Sequence, residues 1–270
     1  MGCFYLAIDI TEDYGRHILG WLDEGLLRLE EVYSFDIAHE LKDGKRLWDL
    51  QDIFKNIKAG IARCRELGKL PVLVGLIACD DYFLLLDEDD KPAFDFVFEL
   101  NDALDGKLKT SYSACLERAR CFLMLADYLN FLLTGTKCCE YTGLLGAGLI
   151  DRDTKELDEE VIKKLGIGKE HFPPVLRPGN VIGNLTLQVT DELGYDFVMI
   201  QPASRSACEN LAKLPASDIS AGEEEPDKNS ASELAAAAGC LCILMVTSHE
   251  LRDYDAAREC IRNSFLKSLR

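Results

Sequence analysis

Apolar positions run almost unbroken through "FYLAIDI" (4–10), on both faces of an extended chain. That pattern predicts a central, buried strand. Residues 16–22 and 27–35 read as the next two strands, joined by a hairpin turn at Asp23-Glu24-Gly25. The period then changes. Leu50, Ile53, Phe54, Ile57, Ile61 and Cys64 recur at spacings of three and four, which predicts a helix capped by Asp49 and stopped near Gly68. "VLVGLIAC" (72–79) reads as a second buried strand, and "YFLLLD" (82–87) as a strand pairing with it across an acidic turn. Leu116, Ala119, Phe122, Leu123, Ala126 and Leu129 predict one long helix that Gly135 ends.

The second half is less regular. A short helix is expected near 158–165, an extended stretch at 171–183 held by its prolines, and a strand at 197–200. "PASRSACENL" (202–211) reads as a crossing from strand through loop to helix. An acidic linker at 215–231, rich in Pro, Gly and Ser, precedes two closing helices at about 232–248 and 253–267. The last carries Ala257, Cys260 and Ile261 on one face. Three antiparallel strands, a helix, a strand and a helix is the order of an α/β ribonuclease-H-like (actin-like ATPase) domain with a mixed sheet. A purely parallel fold starts with a helix after its first strand.

Composition narrows the partners. A formal net charge of −17 speaks against nucleic acid, which needs clustered Lys and Arg. No run of about 18 apolar residues predicts a membrane span. The immediate entry into a strand argues against a signal peptide, so the chain is expected to be cytoplasmic. Its 11 cysteines then read as reduced thiols. Neither Cys138-Cys139 nor Cys240-x-Cys242 has zinc-site spacing, and the four histidines are scattered.

Four stretches point to a family. "LAIDI" leading through Gly15-Arg16 to "GRHILGWL", then "RCFLMLADYLNFLLTGTKCCEYTG" (120–143), "LGIGKEHFPPVLRPGNVIGNLT" (165–186) and "HELRDYDAARECIRNSF" (249–265) together resemble the FGGY carbohydrate kinases, within them the rhamnulokinase branch. The resemblance implies a two-domain enzyme using ATP and Mg to phosphorylate a sugar, L-rhamnulose in that branch. The sugar would bind to the first domain and ATP mainly to the second, with an aspartate as general base. By that likeness residues 1–200 are the first domain, and 201–270 a truncated remnant of the second. The family's Gly-Thr-Trp-Ser turn and triple-glycine loop are absent from the sequence.

The family's motifs fall on altered residues. Its opening hairpin reads Asp-Ile-Gly-x-x-Ser-Gly-Arg; here stand Asp9, Ile10, Thr11, Glu12, Asp13, Tyr14, Gly15 and Arg16. Asp9, Gly15 and Arg16 match, and become the candidate phosphate-binding residues, with Asp9 the candidate metal ligand. Glu12 and Asp13 would each repel a phosphate by about 3–4 kcal/mol at about 4–5 Å and an effective dielectric near 20. An ordinary polar turn, a working phosphate loop and binding through a bridging metal ion are the three readings. In the sugar motif, Ile77 stands for the first aspartate, Cys79 for the tryptophan and Tyr82 for the second aspartate. Asp80 and Asp81 are the candidate replacements, with a solvated turn as the plainer reading. Ala203-Ser204-Arg205-Ser206 replaces Ala-Ser-His-Asp, so Ser206 holds the base position and no catalytic residue is intact. A serine hydroxyl cannot accept a sugar proton at pH 7, and a lost base costs roughly 10²- to 10⁴-fold. The expectation is a pseudokinase or sugar-binding module, the alternative a working kinase with replacement residues or a partner chain. The apolar run at 235–246 is expected to be a core helix or an interface for a homo- or hetero-oligomer.

Overall fold

A computed structural model describes residues 3–42, 45–94, 96–212 and 234–268. The expected linker at 215–231 lies outside the described residues. The first strand, β1 (Phe4–Ile10), pairs antiparallel with β2 (Tyr14–Asp23), and β2 pairs antiparallel with β3 (Leu26–Asp36). A small hairpin of β4 (His39–Lys42) and β5 (Lys45–Trp48) follows, which the sequence pattern did not predict. Helix α1 (Leu50–Glu66) starts where the Asp49 carboxylate accepts from the Asp52 amide at 2.9 Å, and Gly68 turns the chain at its end with φ of +69°. Strand β6 (Pro71–Ala78) then lies parallel to β1.

The chain departs from expectation after β6. Strand β7 (Tyr82–Leu86) does not pair with β6. It is the centre of a separate antiparallel sheet between β8 (Phe98–Glu99) and β9 (Cys121–Met124). The expected long helix is broken. Short helices α2 (Leu100–Leu104), α3 (Lys107–Ser111) and α4 (Ser113–Leu116) precede β9, and α5 (Leu125–Thr134) follows it directly. Phe122 explains the break: it stacks on Phe83 at 4.9 Å and on Phe172 at 4.5 Å between ring centroids, and the strand conformation gives it both contacts. Gly135 ends α5 with φ of +71°.

The remaining elements are β10 (Cys139–Glu140), α6 (Tyr141–Gly146), α7 (Glu159–Leu165), β11 (Val175–Leu176), β12 (Val181–Asn184), α8 (Leu187–Leu193), β13 (Val198–Ile200), α9 (Arg205–Ala212), α10 (Ala235–Thr247) and α11 (Tyr254–Ser268). The main sheet has the order β12-β13-β6-β1-β2-β3, with β13, β6 and β1 parallel and the others antiparallel. This is the mixed sheet of a ribonuclease-H-like, actin-like domain.

Both faces of that sheet are covered, which is why β1 is apolar at nearly every position. Leu6, Ile8 and Ile10 face α1, α5 and α8. Tyr5 and Ala7 face α9, α10 and α11. Helix α10 is apolar all round and buried from Ala236 to Met245. The chain's own sheet, α9 and α11 pack around it, so 236–245 is core, as one of the two expectations for 235–246 had it. Glycines admit it: a Cβ at Gly20 would lie 2.7 Å from Leu241, and one at Gly75 would lie 2.8 Å from the Cys240 sulfur. Among the described residues no helix is long and apolar enough to cross a membrane.

Candidate functional site

A cleft opens beyond the C-terminal ends of β6 and β13, where the β9–α5 junction and the start of α9 meet them. Ile77, Asp80, Asp127, Glu140, Ser204 and Arg205 are among its walls. Strand alternation sends Asp9 to the same face as Tyr5 and Ala7, where it is wholly buried. There it meets two guanidinium groups. Arg205 Nε donates to Asp9 Oδ1 at 2.9 Å and its Nη2 reaches Oδ2 at 3.5 Å. Arg16, opposite Asp9 in the β1–β2 ladder, brings Nη2 to Oδ2 at 3.4 Å. Arg205 also binds Glu209, one turn along α9. Burial works against the Arg205 charge, but Asp9 and Glu209 more than offset it and push the guanidinium pKa up.

The candidate phosphate loop is closed on itself. The Thr11 amide donates to the Tyr14 carbonyl at 2.8 Å, and the Tyr14 amide donates to Thr11 Oγ1 at 3.1 Å. Two N–H groups that could address a phosphate are thereby used. Glu12 accepts from the Tyr82 hydroxyl at 3.1 Å, and the β4–β5 hairpin brings His39 to the Glu12 carbonyl. Gly15 has an internal reason to be glycine: a Cβ there would lie 2.3 Å from the Phe35 ring of β3. The Arg16 guanidinium carbon lies 4.8 Å from the Tyr14 ring centroid.

The two candidate sugar ligands separate. Asp80 lines the cleft, and its carboxylate accepts from the amides of Arg205 at 3.0 Å and Ser206 at 2.9 Å. It caps α9 from another element, and so aims Arg205 at Asp9. Asp81 is exposed in the turn before β7. Ile77 is buried under α10. The Cys79 thiol lies 3.6 Å from the Ile10 carbonyl, and burial first, then nearby Glu12, pushes its pKa up to about 12. Tyr82 is buried against Trp48, their rings 5.0 Å apart. Ser206 is exposed, with its hydroxyl 3.4 Å from that of Ser204.

Sequence reasoning passed over Asp127 and Glu140. Their signal was a lone acid inside "FLMLADYLNFLL" and a second just after two buried cysteines. Glu140 caps α6: Oε1 accepts from the Thr142 amide at 2.8 Å and Oε2 from the Gly143 amide at 2.6 Å. Thr142 Oγ1 in turn accepts from the Ser204 amide at 2.9 Å, which ties the cap to the α9 loop. Burial raises the Glu140 pKa from its usual 4.5 to about 7, against the hydrogen bonds from Thr142 and Gly143. The folded chain therefore holds this proton more tightly than the unfolded chain. The contribution of Glu140 to stability is greatest below pH 4.5, falls as pH rises through 4.5–7, and levels off above. The wild-type chain is expected to lose on the order of 3 kcal/mol relative to Glu140→Gln across that window. Denaturant unfolding of both proteins at pH 4.5, 6 and 7.5 measures it, and a constant difference would contradict the assignment.

Among the described residues, no group of three or more His, Cys, Asp or Glu is placed to hold a metal ion. Asp9 does not fit a divalent cation as arranged, since both its oxygens face guanidinium groups.

Residues 108–203 match the N-terminal domain of the FGGY family of carbohydrate kinases. The chain is 33% identical over 242 residues to a rhamnulokinase of Oceanobacillus iheyensis, covering 78% of this chain and 52% of that protein. It is 30% identical over 244 residues to a rhamnulokinase of Halalkalibacterium halodurans, with the same coverage of 78% and 52%. The chain thus spans about half the length of these curated relatives. Among solved structures, it superposes on a gluconate kinase from Lactobacillus acidophilus with a TM-score of 0.66 at 18% identity, covering 78% of this chain and 50% of that one. A ligand-bound xylulose kinase from the same organism gives a TM-score of 0.64 at 18% identity, covering 77% and 49%. These two likenesses are of fold.

Proposed function

The chain belongs to the FGGY family of carbohydrate kinases and is similar to its rhamnulokinases, and from that premise we propose that it binds a neutral sugar in its cleft without phosphorylating it. The observation that carries this reading is the Arg205 guanidinium on Asp9. In the family Mg and ATP do the transfer. Here a fixed side-chain cation lies against the buried carboxylate that would meet the ion. Phosphoryl transfer is almost wholly positioning and electrostatics, so a cation that cannot carry the nucleotide cannot stand in for one that does. Three further features point the same way: Ser206 at the base position, Glu12 and Asp13 in the hairpin, and the Thr11 and Tyr14 amides already donating within that hairpin. In this reading the protein works in the cytoplasm.

Calorimetric titration with L-rhamnulose and separately with Mg-ATP tests it. The sugar, or a related ketose, is expected to bind at millimolar affinity or better, Mg-ATP not to bind, and no sugar phosphate to form. A working kinase is the second reading. It is favoured by Glu140, a cleft carboxyl raised to about 7 that could serve as a base in place of Ser206. Formation of L-rhamnulose 1-phosphate that Glu140→Gln abolishes would establish that reading instead.

A further inference from the structure

The floor of the cleft holds a polar group that the fold does not use. Asp127 lies in the first turn of α5, fully buried, and lines the cleft. Its Oδ2 accepts from the Glu140 amide at 3.2 Å. Its Oδ1 finds no hydrogen-bond partner in the protein. One turn further along the same helix, Asn130 is also fully buried, and neither its Oδ1 nor its Nδ2 is partnered. A buried polar atom left unpaired costs about 1–3 kcal/mol. Of these atoms, Asp127 Oδ1 is the one whose residue lines the cleft, and an unpaired buried atom there calls for an explanation.

Charge decides what sort of group belongs there. The titratable side chains that interact with Asp127 are Glu140, Cys121, Cys138 and Cys139, none of them cationic. Arg205, the cleft's basic residue, is held by Asp9 and Glu209. Burial first, and the neighbouring Glu140 charge second, push the Asp127 carboxyl well above the usual carboxylate range, against backbone hydrogen bonds at Glu140 and Met124, and so favour its protonated form. With Oδ2 occupied as an acceptor, Oδ1 is the oxygen left to meet a ligand. An anionic ligand would meet Asp80 and Glu140 in the cleft wall and be repelled. A ligand hydroxyl would complete the set at little desolvation cost.

We propose that Asp127 is a ligand-binding residue, a buried carboxyl at the cleft floor whose unpartnered Oδ1 makes a hydrogen bond to a hydroxyl of an uncharged polyhydroxylated ligand. This rests on the sugar-binding reading of the cleft, to which it adds the contact residue and the discrimination against sugar acids. Asparagine reproduces the arrangement, since its carbonyl can accept from the Glu140 amide while its NH₂ donates into the cleft. Leucine cannot hydrogen-bond.

Binding of L-rhamnulose, D-xylulose, glycerol and D-gluconate to the full chain, followed by calorimetry, separates the outcomes. At least one uncharged probe is expected to bind and gluconate not to bind. Asp127→Asn should hold the affinity within about threefold, and Asp127→Leu should lose about tenfold or more, as for a lost hydrogen bond at a buried site. Wild-type affinity in Asp127→Leu overturns the role of Asp127 while leaving the cleft a binding site. An equal loss in Asp127→Asn overturns the protonated form of the contact. Failure of every uncharged probe to bind wild type overturns the sugar-binding reading and this contact with it. Should Asp127→Leu not unfold cooperatively, infrared difference spectra of wild type and Asp127→Asn, with and without the binding probe, decide. A protonated-carboxyl band present only in wild type and shifted by the probe supports the contact; an unshifted or absent band refutes it.

Discussion

Arg205→Ala is expected to destabilise the chain by about 3 kcal/mol, the usual result of removing one partner from a buried ion pair. The carboxylate left behind, Asp9, is wholly buried and would keep only Arg16, at 3.4 Å. Most of the loss comes from that stranded charge, so an added cation should restore part of it. Mn²⁺ is expected to stabilise Arg205→Ala measurably, since a ligand at tenfold its dissociation constant adds about 1.4 kcal/mol, and to leave wild type unchanged. Denaturant unfolding of both proteins with and without Mn²⁺ reads this directly. Equal stability of variant and wild type would show that the guanidinium does not hold Asp9.

The second large effect concerns α10. Gly239→Ala is expected to cost about 3 kcal/mol or more, because overpacking against rigid backbone exceeds the usual side-chain case. A Cβ there would lie 2.0 Å from the Cys208 carbonyl oxygen and 2.7 Å from its carbonyl carbon, both main-chain atoms of α9. Neither helix can retreat: α10 lies on β1 and β6 on its other side. Gly146→Ala is the control. Gly146 ends α6 with nothing within 4 Å of the added Cβ, so its change should stay within about 1 kcal/mol. Thermal unfolding of the two variants side by side measures the contrast. If Gly239→Ala melts like Gly146→Ala, α10 is not packed on this sheet.

The central strands were legible in the sequence because burial on both faces leaves an unambiguous apolar run, as at 4–10 and 72–79. Helix α1 was legible for the opposite reason, since one polar face gives a clear period and Asp49 marks its start. The stretch 113–134 was not. Strand β9 is buried throughout and the adjacent helix α5 mostly so, and their apolar residues form one nearly continuous run that hides the boundary between them. Pairing of β7 was misassigned because its acidic turn resembles a hairpin; β7 pairs instead with β8 and with β9, the latter some 35 residues on. In the site, Asp9 and Ser206 were found through motif positions. Arg205 was not singled out, because its reach to Asp9 spans 196 residues of sequence. Asp127 and Glu140 were hidden by their own surroundings, since only burial distinguishes them from ordinary acids near helix starts.

The account turns on whether the buried carboxylate of β1 is already neutralised from within. Titrating wild type with Mg-ATP, and then Arg205→Ala under the same conditions, puts that to the test. No saturable heat at millimolar nucleotide is predicted for wild type. Binding of Mg-ATP by wild type at one site, lost in Asp9→Asn, would contradict it.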